Sequence, residues 1–130
     1  QLRPNLHIQD YCDLIIKFLN TPKDLIANEV FNVGYQNLSI LEIAKLVQKV
    51  VLNEFPDKKN IDLVITSSDD NRSYHINSDK IYLKLGFKPK FSIENAIKDL
   101  CDAFKKDLIP NSFEDDFYYN VMRLKRINAK

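Results

Sequence analysis

Apolar residues recur at helical spacing in four places along the chain. Tyr11, Leu14, Ile15, Phe18 and Leu19 form one stripe, with Asp10 placed to cap it and Asn20-Thr21-Pro22 to end it. Ile40, Ile43, Ala44, Val47, Val50 and Val51 form a second, which runs to about Asn53. It opens on Ser39-Ile40-Leu41-Glu42, a capping box in which hydroxyl and carboxylate each take a backbone N–H. Ile81 and Leu85 predict a short helix, capped by Asn77 or Ser78 and closed by Gly86, with Pro89 beyond. Ile93, Ala96, Ile97, Leu100, Phe104 and Leu108 line the last, from Ser92 to about Leu108, before Pro110.

Two runs have the character of strands instead. Glu29-Val30-Phe31-Asn32-Val33-Gly34 is nearly continuous in apolarity, as in a strand covered on both faces. Asn32 is its exception, and a polar amide in such a place needs a structural or ligand partner. Ile61-Asp62-Leu63-Val64-Ile65 is the second predicted strand. Residues 3–8 read as extended, and 55–60 as a loop. Two or more short strands with about four helices make an α/β or α+β chain. Two strands are too few for a doubly wound sheet, so the pattern suits part of a larger domain.

Between the second strand and the short helix lies a polar stretch, Asp69-Asp70-Asn71-Arg72-Ser73-Tyr74. It holds one arginine among acids and amides, on a loop between rigid elements, where binding residues concentrate. The plainer alternative is a solvated turn in which Arg72 pairs with Asp69 or Asp70. After 110, an acidic-aromatic segment (113–120) precedes a basic one (123–126); 111–130 is read as a tail that packs on the body or on a partner, with the short basic run as solvated surface.

Composition excludes several functions. A net charge of +1 leaves no concentrated basic face for nucleic acid. Cys12, Cys101, His7 and His75 show no metal-ligand spacing and no disulfide framework, which fits reduced thiols. No apolar run approaches the ~18 residues of a membrane span, and no leader pattern is seen, so a cytoplasmic protein is expected. Gly34 and Gly86 are the only glycines, too few for a glycine-rich phosphate loop.

Three stretches together resemble one family. Arg3-Pro4-Asn5-Leu6-His7-Ile8-Gln9-Asp10 is similar to its Arg-x-x-aliphatic-(Tyr/His)-aliphatic-x-Asp segment. Val30-Phe31-Asn32-Val33-Gly34, with Ser39 and the helix after it, is similar to its Tyr-Asn-(Val/Ile)-Gly strand and helix. Asp70-Asn71-Arg72-Ser73-Tyr74, then Lys80-Ile81 and Leu85-Gly86-Phe87-Lys88-Pro89, is similar to its Asp-x-Arg…Lys-aliphatic…Leu-Gly-aromatic-x-Pro segment. The family is the extended short-chain dehydrogenase/reductases acting on nucleotide sugars, the NDP-sugar epimerases and dehydratases. The likeness covers roughly residues 3–100, and only the family's C-terminal, substrate-binding part. Its glycine-rich fingerprint and Tyr-x-x-x-Lys catalytic pair do not occur here.

The resemblance implies that residues 1–110 are the nucleotide-sugar-binding region of an NAD(P)-dependent epimerase or dehydratase. The N-terminal Rossmann domain would be missing from this chain. Arg3 and Arg72 match arginines that contact the nucleotide diphosphate, and Asn32 an amide near the nucleotide. NAD or NADP would serve the parent enzyme, with none expected bound to this part, no catalytic residue in it and no metal. Asp10 is expected as a helix cap, Tyr74 as core packing and Lys80 as a surface or helix-dipole residue. The expected partners are a nucleotide-diphosphate sugar, the missing domain and a second copy in a homo-oligomer, with neither nucleic acid nor membrane. A non-enzymatic protein-interaction module is the alternative.

Overall fold

Among the described residues, 1–67 and 72–128, the computed structural model has two strands and six α-helices. Strand β1 is Leu2–Asn5 and β2 is Gln36–Ser39. The helices are α1 (Ile8–Leu19), α2 (Lys23–Ile26), α3 (Ile40–Glu54), α4 (Asp79–Leu85), α5 (Ile93–Lys105) and α6 (Asn120–Arg126). A 3₁₀ turn at Asp116–Tyr118 precedes α6. Residues 1–99 form one unit and residues 100–130 a second.

The mixed α/β composition is as expected, but the sheet is built from other residues. β1 pairs antiparallel with β2, Leu2 opposite Ser39 and Asn5 opposite Gln36. Neither predicted strand is one. Residues 29–34 form no ladder, and neither do 61–65, where Val64 is 82% and Ile65 81% exposed. Strand propensity reports how well side chains fit a pleated, half-buried surface. It does not supply the neighbouring backbone, and no described strand lies beside either run. The 29–34 run still alternates as a strand would. Phe31 and Val33 pack on the core while Val30 and Asn32 face outward.

That core is Leu14, Ile81 and Phe87, flanked by Phe18, Phe31, Val33 and Leu85. It joins α1, α4, the 31–33 run and the residues after Gly86. Gly86 closes α4 at φ 61°, the left-handed conformation foreseen for it. Ser39 and Glu42 form the expected capping box of α3, with bonds of 3.2 and 2.7 Å. Hydrogen bonding to Ser39, hydroxyl first and then backbone, holds the Glu42 carboxyl below its ordinary value.

Asp10 is not a cap. His7 begins α1, its Nδ1 accepting the Gln9 N–H at 3.1 Å. Asp10 is 1% exposed, and its carboxylate accepts the N–H of Lys90 at 2.9 Å and of Phe91 at 3.0 Å. It thus fastens the first turn of α1 to the segment before α5. His7 points the same way, its ring 5.0 Å from that of Phe91 and its Nε2 3.2 Å from Asp99.

Lys80 is also more than a surface residue. Its ammonium donates to the Val30 carbonyl at 2.8 Å, pairs with Glu29 at 2.7 Å and lies over the Phe31 ring. Lys84 binds the other oxygen of Glu29. Within residues 100–130, Asp116 pairs with Arg126 at 2.9 Å and Arg123 at 3.5 Å. The 123–126 run is therefore tied into its own unit.

Two outcomes are expected. Asp10→Ala leaves two backbone donors without acceptors and should lower unfolding free energy by about 2–4 kcal/mol, with Asp10→Asn intermediate, in urea titrations. The Lys80 ammonium first, then that of Lys84, lowers the Glu29 pKa from 4.5 to about 2. The unfolded chain binds that proton more readily, so the stabilisation is complete above pH 4.5 and is lost as pH falls toward 2. Glu29→Gln should flatten the pH dependence of Tm within that window.

Candidate functional site

The segment from Arg72 to Ser78 lies along the two-stranded sheet without being a regular strand of it. The Ser73 hydroxyl accepts the Leu2 N–H at 2.9 Å, and the Tyr74 N–H donates to the Leu2 carbonyl at 3.3 Å. The Asn37 side-chain amide engages residue 76 from both sides. Its Nδ2 donates to the Ile76 carbonyl at 3.1 Å and its Oδ1 accepts the Ile76 N–H at 3.0 Å. Ser78 does the same for Gly34, accepting its N–H at 2.9 Å and donating to its carbonyl at 3.0 Å. Ser78 therefore does not cap α4 with its side chain. The Asn77 Oδ1 takes the Asp79 N–H instead, at 2.7 Å.

Gly34 is small for a packing reason. A Cβ there would lie 2.7 Å from Ile76 Cδ1 and 3.0 Å from Cγ1. The motif glycine lets Ile76 close on the backbone.

This lacing brings Arg3 to Arg72. The Arg3 Nη1 donates to the Arg72 carbonyl at 2.7 Å and to the Leu2 carbonyl at 2.9 Å. The Arg3 guanidinium carbon stands 5.2 Å from the centre of the Tyr74 ring. Tyr74 is 52% exposed, so it does not serve as core packing. Asp69 and Asp70, the alternative partners of Arg72, lie outside the described residues. Asn32 is exposed on the 29–34 run, which Glu29 and Val30 attach to α4. The structure thus joins the two arginines and holds the asparagine by a different attachment.

The contacts missed from sequence were carried by polar side chains with no periodicity. Asn37 sits in β2, opposite Pro4, and only its proximity to Ile76 reveals its use.

Guanidinium groups bind paired anionic oxygens through parallel N–H donors, as a carboxylate or diphosphate presents them. Of the two glycines, Gly34 is packed against Ile76 and Gly86 closes a helix, and the two described strands pair antiparallel. Among the described residues there is no cluster of His, Cys, Asp and Glu able to hold a metal ion. No helix among them is long and apolar enough to cross a membrane.

Among curated proteins, the chain is 28% identical over 103 residues to the dTDP-glucose 4,6-dehydratase of Shigella flexneri. It is 27% identical over 103 residues to that of Escherichia coli. Each match covers 75% of this chain and 28% of the relative, so the chain spans just over a quarter of the relatives' length. The likeness is distant, and it agrees with the resemblance to nucleotide-sugar enzymes read from the motifs. No family model and no solved structure matches.

Asn37→Ala should loosen the 72–78 segment while sparing α3. Amide exchange at Ile76 is expected to quicken by about fivefold, the equivalent of one hydrogen bond. Exchange at Val50 should not change.

Proposed function

We propose that this chain is the nucleotide-sugar-binding part of an enzyme related to the NDP-sugar dehydratases and epimerases. Arg3 and Arg72 hold the substrate diphosphate, with Asn32 nearer the nucleotide. Residues 1–110 carry that role. The chemistry and the NAD(P) that serves it belong to a domain other than these residues. The observation that carries the reading is the contact between the first and third motifs, through the Arg3 guanidinium and the Arg72 carbonyl. Two residues 69 positions apart, each matched to a phosphate-contacting arginine, meet at one edge of the sheet. A diphosphate held there leaves the sugar to be positioned for reaction, which is where much of a barrier is removed.

A second reading rests on a different observation. The outer side of α1 exposes Ile8 (69%), Tyr11 (51%), Ile15 (42%) and Leu19 (80%), spaced as a helical stripe. A contiguous apolar stripe marks an interaction surface. Self-association through it accords with a homo-oligomer and with an interaction module alike.

Calorimetric titration with dTDP-glucose tests the first reading. Arg72→Ala should weaken binding about ten- to a hundredfold, the loss of one charge-assisted contact. Arg72→Lys should recover only part of it, since an ammonium does not reproduce the two-pronged donor. Unchanged affinity in Arg72→Ala, or a fall in Tm with no loss of affinity, defeats the assignment.

A further inference from the structure

We propose that the outer face of α1 is the seat of a second copy of this chain, whose own α1 lies across it antiparallel about a two-fold axis. The inference rests on the reading of that stripe as an interaction surface, and it is independent of the nucleotide-sugar reading.

A helix whose outer face meets only water carries its charges there. The arrangement in α1 is the reverse. Its charged residues are Asp10, Asp13 and Lys17, of which the first is buried and the other two half-buried. No exposed residue of the helix is charged. Ile8, Cys12, Ile15 and Leu19 run along the middle of the exposed face, with Tyr11 and Ile16 at its margins. A face without charge offers nothing to an acidic or basic partner and fits another apolar face.

The order of the residues selects which face that is. The steps between the four central residues are four, three and four, the spacing of a seam between paired helices. That series reads the same in both directions. When the helix is turned end over end about a point between Asp13 and Leu14, Ile8 falls opposite Leu19 of the second copy and Cys12 opposite Ile15. Tyr11 falls opposite Ile16 by the same operation. A two-fold contact requires this, since each residue that touches another must be touched by it in return. The antiparallel sense also brings opposite ends of the two helix dipoles together.

A helix of 12 residues is about 18 Å long. One face of it falls short of the roughly 800 Å² per partner of a standard interface. The expected dimer is accordingly weak, with a Kd of about 10–100 µM.

Sedimentation velocity on the whole chain, over a concentration series spanning that range, tests the contact. The parent should pass from monomer to dimer as concentration rises. Ile15→Lys buries an unpaired ammonium near the axis and should raise Kd by at least about tenfold. Leu19→Lys should do likewise, and because that side chain is 80% exposed the fold and Tm should be kept. Ile15→Cys reports the direction: mild oxidation should join the new thiol at position 15 to the native Cys12 of the other copy, as mapped by peptide mass. A parent that stays monomeric throughout overturns the inference alone and leaves the stripe to a different occupant. A dimer unaffected by either lysine overturns the inference and, with it, self-association through the stripe. A dimer that the lysines abolish, but whose cross-links join only like positions, has parallel helices and overturns the antiparallel arrangement.

Discussion

The Asn37 amide, bonded both ways to the peptide of Ile76, is the contact on which the candidate site depends. A segment that is not part of a ladder has no intrinsic register against a sheet. A side chain that can satisfy one particular peptide supplies that register. With residue 76 fixed on β2, Ser78 reaches Gly34 and Ser73 reaches Leu2. Arg72 then falls beside Arg3. A slip of one residue would move the Arg72 carbonyl from the guanidinium and the Tyr74 ring from its place. Such bonds contribute modestly one by one, about 1 kcal/mol each, but they act on the same seven residues and support one another.

The helices were legible because they depend on local chemistry. The Ser39–Glu42 box, the left-handed Gly86 and the apolar stripes need only neighbours along the chain. The strands were not legible, because a strand is defined by what lies beside it. Val30, Phe31 and Val33 carry the propensity and even the in-out alternation. The Lys80 side chain takes the Val30 carbonyl and that of Ser78 the Gly34 peptide, in place of a ladder. The observed strands contain Pro4, Asn5, Gln36 and Asn37, poor strand formers, and the pairing of the two segments overrode propensity.

The candidate site divides in the same way. Arg3 and Arg72 were singled out by matching motifs, and the fold sets the Arg3 guanidinium against the Arg72 carbonyl. Asp10 was misread as a cap because an aspartate ahead of an apolar stripe is the usual sign of one. His7 took that place, and the buried carboxylate reached eighty residues along the chain to Lys90. Sequence patterns within one helix do not encode that span. Lys80 was underestimated for a like reason, since its acceptors, Glu29 and Val30, lie about fifty residues upstream.

These corrections bear on what the motifs are for. Asp10, Gly34 and Lys80, three of the residues that carry the family resemblance, are spent on holding segments together. Asp10 binds backbone, Gly34 makes room for Ile76, and Lys80 anchors the 29–34 run. A conserved-looking pattern can therefore report the architecture that presents a ligand site. Arg3 differs from them in its solvent side. It is only part-buried, at the end of a two-stranded sheet, with an aromatic ring against its face and the Arg72 peptide at its edge. Two carbonyls and a ring orient its guanidinium.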